Sequence, residues 1–498
     1  MRIVILGGGT AGWMTAAGLS HFLQDSDAQI HLIESDKVGT VGVGEATLPH
    51  LKFFNQTIGI DEQEFMRATN ATIKLGIEFN NWGQIGQSYI HPFGEYGPST
   101  TPIKFHHIWH RLLEKHPDLS LQNFSAGEMM ARNFKFQIPQ LPDDDVSTTY
   151  SYAYHIDAGR YAKFLRDIST KKGVTRQEGL VENVSLDPES GNILFLRLED
   201  GDTISGDLFI DCSGFRSVLL GQALGEAYED WSHYLPCDRA IAIPSTHTTP
   251  EKLPPYTQAE AHGHGWTWKI PLQHRNGNGS VYCSEYTSDD KIEALLMRKL
   301  GTTALASPNK IRFKAGLRRK QWKKNCIGVG LSAGFLEPLE STSIYLIQAA
   351  ITTLVELLPN KRIDPVDIKE FNDVINVEYE RIRDFLILHY VATERNDTEF
   401  WRYIQNMPLP HSLIEKISMF KSQGFVPEYK DGLFLFPSWL SVFIGQGIIP
   451  QNRDPRADAL SQADLDRHLN YANTVRKFVD SSETHTEFLN KYCRQGMS

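Results

Sequence analysis

The 498-residue sequence has few cysteines, no long apolar run and no excess of positive charge. Its five cysteines are scattered and form no CxxC pair, so neither a disulfide framework nor a zinc site is predicted. No apolar run approaches the roughly 20 residues of a membrane-spanning helix, and the N-terminus enters a strand without the apolar segment of a signal peptide. We therefore expect a cytoplasmic protein that keeps its thiols reduced and does not bind a membrane.

The charge balance narrows the class of protein further. A net charge of −10 disfavours a nucleic-acid partner, because phosphate binding requires a concentrated positive face. The sequence has no internal repeat, low-complexity segment or long Gly/Ser linker. With 41% hydrophobic residues and 38 glycines, the chain can form two large lobes that are interleaved along the sequence.

A glycine-rich turn follows the first apolar strand, Arg2–Leu6, and precedes a helical pattern. In such a turn Gly7 bends the chain, Gly9 lets the backbone approach a pyrophosphate, and Gly12 lets helix and strand pack closely. Glu34 ends the next strand about 22 residues after Gly12, where an acid binds the ribose of an adenosine. The pattern predicts a dinucleotide site for FAD or NAD(P), with the candidates Gly7, Gly9, Thr10, Ala11, Gly12 and Glu34.

A second glycine turn lies between Ile327 and Tyr345, where a short apolar strand passes through a turn into a helix. The free N–H groups at the start of such a helix favour an anion. Ser341, Thr342 and Ser343 lie at this helix start, directly after Glu337, Pro338 and Glu340. The residues alone leave open whether this is an anion site or an ordinary capped helix.

Three further segments have strand periodicity. Lys74 lies on the polar face of an alternating strand between Ala71 and Trp82, where a lysine is ordinarily exposed. His91 and Phe93 are two residues apart and therefore face one side of a strand. Trp266 and Trp268 likewise share a face of the segment GWTWKIP, which Pro271 ends. From spacing alone, an exposed lysine without a role is the simpler interpretation of Lys74, and core packing explains the histidine and the aromatic residues as well as a site does.

The segments FLEPLEST, GWTWKIP and GGGTAGW resemble the flavin-dependent halogenases related to the tryptophan halogenases. The resemblance covers nearly the whole chain and weakens in the C-terminal part. It implies an α/β fold of the FAD-binding, Rossmann-type, two-motif flavoprotein monooxygenase class, with a mostly helical C-terminal substrate module. We expect an FAD-binding and catalytic module over residues 1–385, with substrate-lining segments near 74–110 and 262–275, and the substrate module over 386–498.

The resemblance favours FAD over NAD(P), because two further segments match flavoprotein motifs. One is the strand and turn that contain Asp211 and Gly214, and the other is the turn that contains Gly330 and Leu331. Between residues 41 and 49 the chain matches the mobile strap that covers the flavin in halogenases, although a surface loop is the alternative. The strap candidates are Gly42, Val43, Gly44, Glu45, Ala46 and Thr47.

The resemblance also implies the roles of the site residues. A separate NAD(P)H-dependent flavin reductase would supply FADH₂, and chloride or bromide bound at the N–H groups of Thr342 and Ser343 would be oxidised to hypohalous acid. Lys74 would then present the halogen to the aromatic substrate, and Glu340 would polarise the halogen and accept the ring proton. Ser343 replaces the usual glycine, so the halide preference is left open. The residues implied to line the substrate or its passage are His91, Phe93, Trp266, Trp268 and Pro271.

The C-terminal part of the sequence lacks features that would indicate free tryptophan as the substrate. Between Ser422 and Gly447 the sequence has neither the paired tyrosines nor the acid-rich run of the lid that holds free tryptophan in related enzymes. We therefore expect an indole-type substrate other than free tryptophan. Two alternatives remain at this stage, a flavin-dependent aromatic hydroxylase and a non-catalytic flavin-binding protein. The sequence also leaves open whether the protein is a monomer or a homodimer.

Overall fold

The computed structural model describes residues 1–38, 44–98, 102–139, 146–359, 362–427 and 432–494. The chain divides into two compact units, each built from three segments. The first unit comprises Met1–Ala71, Ile156–Ala242 and Asn309–Glu380. The second comprises Thr72–His155, Ile243–Pro308 and Arg381–Ser498. The segments near 74–110 and 262–275, which the sequence analysis assigns to the substrate, fall in the second unit.

A six-stranded sheet, parallel except at one edge, organises the first unit. Its strands, in spatial order, are Trp322–Lys323, Cys326–Gly328, Leu208–Asp211, Arg2–Leu6, Gln29–Glu34 and Thr175–Glu178. Ile3, Val4 and Ile5 are fully buried, as expected for a central strand whose two faces are both covered. Leu6, Asp211 and Gly328 are register partners, so three strands end at the same edge of the sheet.

Helices and small sheets complete the first unit. The helices are Thr10–Phe22, His50–Thr57, Glu62–Thr69, Ala158–Lys171, Ser343–Glu356 and the first part of Pro365–Val391. One small sheet is formed by Val181–Leu186, Ile193–Leu198 and Thr203–Ser205, and another by Glu229–Asp230, Gly316–Leu317 and Gly334–Phe335. Arg239–Ser245 and Asn309–Arg312 pair antiparallel, and Gly44–Ala46 is a short strand. A parallel sheet with packed helices confirms the α/β prediction.

The second unit contains a sheet with the strand order Asn276–Tyr282, Gly265–Pro271, Thr257–His262, Gly76–Asn80 and Ser88–Pro92. A separate short strand, Thr72–Lys74, pairs antiparallel with Ala153–His155. The helices are Phe105–Leu112, Ala126–Arg132, Asp289–Leu300, the last part of Pro365–Val391, Glu399–Asn406, His411–Gln423, Phe436–Gly445, Pro455–Asp458, Gln462–Ser481 and His485–Arg494. Within the described ranges, no helix combines the length and apolar character that crossing a bilayer requires.

The alternating segment around Lys74 differs from the single, half-exposed strand that its period predicts. It forms two strands, Thr72–Lys74 and Gly76–Asn80, because the intervening Leu75 donates its N–H to the carbonyl of Pro255 (2.7 Å). Both strands are covered, and Lys74 has no exposed surface. The expectation of a solvent-facing position was therefore wrong.

Gly76 begins the second of these two strands. In the structure, a Cβ at Gly76 would lie 2.3 Å from the carbonyl oxygen of His91 on the neighbouring strand. Glycine is required there because two strands approach closely.

Candidate active site

Three turns leave the same edge of the six-stranded sheet in the first unit. Cys212 donates its N–H to the carbonyl of Leu6 (2.8 Å), and Val329 donates to that of Asp211 (3.0 Å). A Cβ at Gly7 would lie 2.3 Å from the carbonyl oxygen of Cys212, so the first turn is packed directly on the second. The carboxyl ends of parallel strands are where α/β proteins bind ligands.

The first turn has the geometry of a dinucleotide site. Gly7 has a φ of +118°, and a Cβ at Gly12 would lie 1.8 Å from the carbonyl oxygen of Gly7. A Cβ at Gly9, in contrast, would meet no heavy atom of the described residues within 4 Å. No described side chain caps the helix that begins at Thr10 and Ala11. Its N–H groups and the open side of Gly9 fit a pyrophosphate.

Glu34 is held in place at the end of its strand. Its carboxylate accepts hydrogen bonds from the indole N–H of Trp13 (3.2 Å) and from the guanidinium of Arg176 on the adjacent strand. A Cβ at Gly8 would lie 1.5 Å from Oε2 of Glu34, so this carboxylate lies directly beside the glycine turn. The position fits the predicted contact with a ribose hydroxyl.

Asp211 is fully engaged within the protein. Its two carboxylate oxygens accept four hydrogen bonds, from the N–H and hydroxyl of Ser213 and from the N–H groups of Leu219 and Leu220. The side chain has no exposed surface. Asp211 therefore shapes the turn that contains Gly214, whose φ is +69° and whose missing Cβ would meet no described atom within 4 Å.

The Gly330 turn lies against the first turn. Gly330 has a φ of +70°, and a Cβ there would lie 2.9 Å from the Cβ of Ala11. Leu331 follows in a short 3₁₀ helix, Gly330–Ser332. The turn at Gly7–Gly12 and the Gly330 turn, two candidate cofactor segments that are far apart in the sequence, are thus in contact.

The strap candidates are described only in part. Gly42 and Val43 lie outside the described residues, whereas Gly44, Glu45 and Ala46 form a strand and Thr47 is fully buried. Burial raises the pKa of Glu45 to about 7. Together, the residues of the first unit fit a flavin dinucleotide, because the turn is open at Gly9, where a Cβ would meet no described heavy atom within 4 Å.

The segment Glu337–Ser343 forms a buried polar turn before the helix Ser343–Glu356. Pro338–Glu340 is a 3₁₀ helix, and Ser341 has a left-handed φ of +62°, which is strained for a residue with a Cβ. Glu337, Glu340 and Thr342 are at most 1% exposed. These features distinguish the turn from an ordinary helix start.

Thr342 does not cap the helix with its side chain, as it would in an ordinary capped helix. Its side chain makes no capping bond to the helix among the described residues, and its buried Oγ1 has no hydrogen-bond partner among them either. Nε2 of Gln348, in the same helix, is also buried without a described partner. Unsatisfied polar atoms at and near a helix N-terminus fit a site for a small anion.

Lys74 is the most unusual residue of the second unit. It is fully buried on the strand Thr72–Lys74, which we call the lysine strand, and its Nζ lies 5.1 Å from the centroid of the Phe93 ring. Ala153, opposite Lys74 in the pair, is small and leaves room for the long side chain. An aromatic face stabilises a cation that has lost its water.

His91 lies in a group of aromatic side chains. Its ring centroid is 5.7 Å from that of Phe385 and 6.2 Å from that of Phe434. Phe385 stacks on Phe434 at 4.0 Å and meets Trp439 edge-on at 5.1 Å. The sequence predicts His91 and Phe93 as a pair, and the structure places His91 in this aromatic group and Phe93 beside Lys74.

The segment GWTWKIP forms the strand Gly265–Pro271, which we call the tryptophan strand. The indoles of Trp266 and Trp268 lie 6.0 Å apart, as expected for residues that share a face. Trp266 is buried and Trp268 is partly exposed. The carbonyl of Pro271 accepts a hydrogen bond from the hydroxyl of Thr72 (2.5 Å), which links the end of this strand to the lysine strand.

A cavity of about 390 Å³ opens beside Phe93. Its walls are formed by Phe93, Gly94, Glu95 and residues 148–151. Pockets of this size bind small organic ligands. Phe93 therefore lines an accessible cavity and also lies beside the buried ammonium of Lys74.

Several residues around these sites are missed by the sequence analysis. Phe385 and Phe434 lie beside His91, and Trp439 packs against Phe385. The aromatic content of residues 433–439 could have indicated Phe434 and Trp439. Thr72 and His155 lie beside Lys74 and are hydrogen-bonded to each other. No local pattern marks them, because their partners are distant in sequence.

A family model and three similar proteins all relate this chain to halogenases. The tryptophan halogenase family model matches residues 2–462. Tryptophan 6-halogenase ThaL of Streptomyces albogriseolus is 35% identical, over 95% of this chain and 94% of its own. BrvH, a flavin-dependent halogenase from Brevundimonas sp. BAL3, has a TM-score of 0.94 at 41% identity and 99% coverage of both chains. Xcc4156, a flavin-dependent halogenase from Xanthomonas campestris, has a TM-score of 0.94 at 44% identity, over 99% of this chain and 98% of its own.

These matches confirm the predicted fold and the predicted resemblance. They also decide against the two alternatives, the aromatic hydroxylase and the non-catalytic flavin-binding protein. The chain belongs to the tryptophan halogenase family of flavin-dependent enzymes.

Proposed function

We propose that this enzyme uses FADH₂, O₂ and a halide ion to halogenate an indole-type substrate, and that Lys74 delivers the halogen. The observation that supports this role is the complete burial of Lys74 with its ammonium facing the ring of Phe93. Removing an ammonium from water is costly, so a buried lysine marks a position where the charge is used. A lysine with a purely structural role would keep its ammonium in water.

We assign the flavin and the halide to the first unit and the aromatic substrate to the second. When bound, the reduced flavin supplies, with O₂, the oxidising power that converts a halide into hypohalous acid. Gly9, the start of the helix Thr10–Phe22 and Glu34 would hold the dinucleotide. The backbone N–H groups of Thr342 and Ser343, next to the unsatisfied Oγ1 of Thr342, would hold the halide.

Lys74 acts on hypohalous acid in the proposed reaction. Its ammonium donates a hydrogen bond to the oxygen of HOX, which makes the halogen more electrophilic. The aromatic π electrons form the new carbon–halogen bond while the O–X bond breaks, and the oxygen leaves as water with a proton from Lys74. The halogenated ring cation then loses the hydrogen of the substituted carbon as a proton, which restores its aromaticity.

Glu340 is the base that we assign to this ring proton. Its carboxyl group is fully buried in the turn Glu337–Ser343, so it is sheltered from bulk water. Release of this proton by Glu340 to solvent, and uptake of a proton by the neutral amine of Lys74, restore both groups for the next turnover. Without this proton transfer the ring intermediate would lose the halogen or decay slowly.

The substrate is proposed to be indole, or an indole-bearing molecule larger than tryptophan. The rings of Phe385, Phe434 and Trp439 around His91 offer flat apolar surfaces that suit an aromatic ring. The sequence of the C-terminal part lacks the lid residues that fix the charged end of a free amino acid in related enzymes. Free tryptophan would therefore be held loosely and react slowly.

A separate NAD(P)H-dependent reductase is proposed to supply FADH₂ by diffusion. FAD reduced chemically under anaerobic conditions and then mixed with enzyme, halide and air should therefore sustain halogenation without the reductase. Failure of this reaction, with the reductase-coupled reaction intact, would contradict supply by diffusion.

The proposed substrate is tested by measuring kcat/KM side by side for indole and free tryptophan, with chloride and with bromide. Halogenated products are identified by mass spectrometry. We expect a clear preference for indole with either halide. A preference for tryptophan would contradict the proposed substrate. The absence of any halogenated product would contradict the proposed function as a whole.

A further inference from the structure

The lysine strand is only three residues long, yet its last residue, Lys74, has no exposed surface. A strand of this length gains little stability from its own ladder with Ala153–His155. Two histidines supply further bonds. The N–H of Ile73 donates to Nε2 of His485 (3.1 Å), and Thr72 is hydrogen-bonded to Nδ1 of His155 (2.8 Å).

The hydrogen bonds around Thr72 have only one consistent direction. The hydroxyl proton of Thr72 must point to the carbonyl of Pro271 (2.5 Å), because a carbonyl only accepts. Thr72 therefore accepts its bond from Nδ1–H of His155. The other ring nitrogen of the neutral imidazole, Nε2, must then accept from the hydroxyl of Thr257 (3.0 Å). The result is a chain of bonds from Thr257 through His155 and Thr72 to Pro271.

This chain lies on the same face of the strand pair as Lys74. Thr72 and Lys74 are two residues apart, and their cross-strand partners are His155 and Ala153. Thr72, Lys74 and His155 all have no exposed surface. The charged and titratable groups that act on His155 are Lys74 and His485, and burial together with the ammonium of Lys74 lowers the pKa of His155 well below its usual value.

We propose that Thr72 and His155 are positioning residues for Lys74, and that His155 acts in its neutral, Nδ1-protonated form. A neutral ring adds no second cation beside the ammonium, and its two bonds fix the strand from which Lys74 extends. The same chain attaches the lysine strand to the end of the tryptophan strand at Pro271. This inference rests on the proposed role of Lys74 and extends it to residues that touch neither substrate nor flavin.

The first test needs no cofactor and no turnover. Protein labelled with ¹⁵N at histidine is examined by NMR between pH 6 and 8, and the His155 signals are assigned by their loss in His155→Asn. We expect a neutral ring that carries its proton on Nδ1 across this range. An Nε2-protonated tautomer, or titration of this ring between pH 6 and 8, would overturn the proposal.

The second test compares Thr72→Val with Thr72→Ser. Valine keeps the branched shape but removes the hydroxyl, whereas serine keeps the hydroxyl and its bonds. Flavin affinity, halogenated aromatic product per O₂ consumed, and hypohalous acid released to a freely diffusing 1,3-diketone trap are measured. In Thr72→Val we expect product to fall about 10²-fold, as for a small misplacement of a reacting group, while released hypohalous acid rises. Flavin affinity should not change, and Thr72→Ser should retain most of the product yield.

The outcomes separate this proposal from the proposed function. If Lys74→Ala still halogenates the substrate, the role of Lys74 itself fails. If Lys74→Ala is inactive but a folded Thr72→Val couples O₂ to product as the natural protein does, only the positioning role fails. Parallel losses of flavin affinity and product in Thr72→Val would also overturn the proposal, because they indicate a general structural role. If Thr72→Val does not fold, the NMR measurement of the His155 tautomer in the natural protein tests the positioning role instead.

Discussion

Gly330 turns so closely against Ala11 that a Cβ on Gly330 would lie 2.9 Å from the Cβ of Ala11. The contact joins the Gly330 turn to the first turn of the helix Thr10–Phe22. Both turns leave the same edge of the six-stranded sheet, where Leu6, Asp211 and Gly328 are in register. The proposed flavin cradle is therefore built from distant parts of the chain that the parallel sheet brings together.

Gly330→Ala should weaken flavin binding. The new Cβ would contact Ala11, and the φ of +70° would be strained for alanine. We expect the Kd for FAD to rise at least about tenfold, which corresponds to about 1.4 kcal/mol. The measurement is a titration of flavin fluorescence.

Gly201→Ala is the matched control for this prediction. Gly201 also has a positive φ, +94°, but its Cβ would meet no described atom within 4 Å. This variant should lose a similar amount of stability from backbone strain and keep its affinity for FAD. Equal Kd values for the two variants would contradict the assignment of Gly330 to the cradle.

Glu340→Gln should slow halogenation strongly without abolishing it. The amide keeps the size of the side chain but cannot accept the ring proton, and general-base catalysis typically contributes about 10²–10⁴-fold. The turnover number with indole is the measurement, and FAD affinity provides the check that the turn is intact. A rate equal to that of the natural enzyme would mean that Glu340 is only an acid at a helix start.

Acidification should destabilise the protein partly through His485. Burial lowers the pKa of His485 to about 4, and its Nε2 must keep a lone pair to accept the N–H of Ile73. Between about pH 6.5 and 4 the unfolded state therefore binds a proton that the folded state does not, so stability falls as the pH falls. Above about pH 6.5 this contribution is constant.

His485→Gln should reduce this acid sensitivity. Glutamine can accept the N–H of Ile73 through its carbonyl oxygen and does not titrate. Between pH 7 and 4.5 we expect the free energy of unfolding to fall by roughly 2 kcal/mol less in the variant. Urea denaturation at several pH values measures it, and the data at pH 8 isolate any effect of the lost imidazole on packing. Parallel pH curves for the two proteins would rule out a buried, neutral His485.

Local patterns predict the first unit well because its candidate ligand site is made by turns that adjoin regular strands. The glycine spacing from Gly7 to Gly12 predicts a tight turn against a strand and a helix, and the structure has this turn with Glu34 beside it. Asp157 precedes the helix Ala158–Lys171 and caps it by accepting the N–H of Arg160 (3.2 Å). Such features depend on residues that are close in the chain.

The surroundings of Lys74 could not be predicted in this way. Its alternating period indicates an exposed side chain, but the covering residues come from distant segments, so burial is not visible in the local pattern. The bonds from His155 and His485 likewise join parts of the chain that no spacing relates. The role proposed for Lys74 comes from family resemblance, and the structure adds that its side chain is fully buried.

The most direct test of the account is Lys74→Ala, with Lys269→Ala as control. Lys269 is half-buried on the tryptophan strand and alternates away from Trp266 and Trp268. Halogenated indole, FAD affinity and trapped hypohalous acid are measured for both variants under identical conditions. We predict that Lys74→Ala forms less than about a hundredth of the natural amount of product while FAD binding and hypohalous acid formation persist, since the general acid contributes about 10²-fold or more. Lys269→Ala should halogenate normally. Product from Lys74→Ala at levels close to those of the Lys269→Ala control would contradict the central claim that Lys74 delivers the halogen.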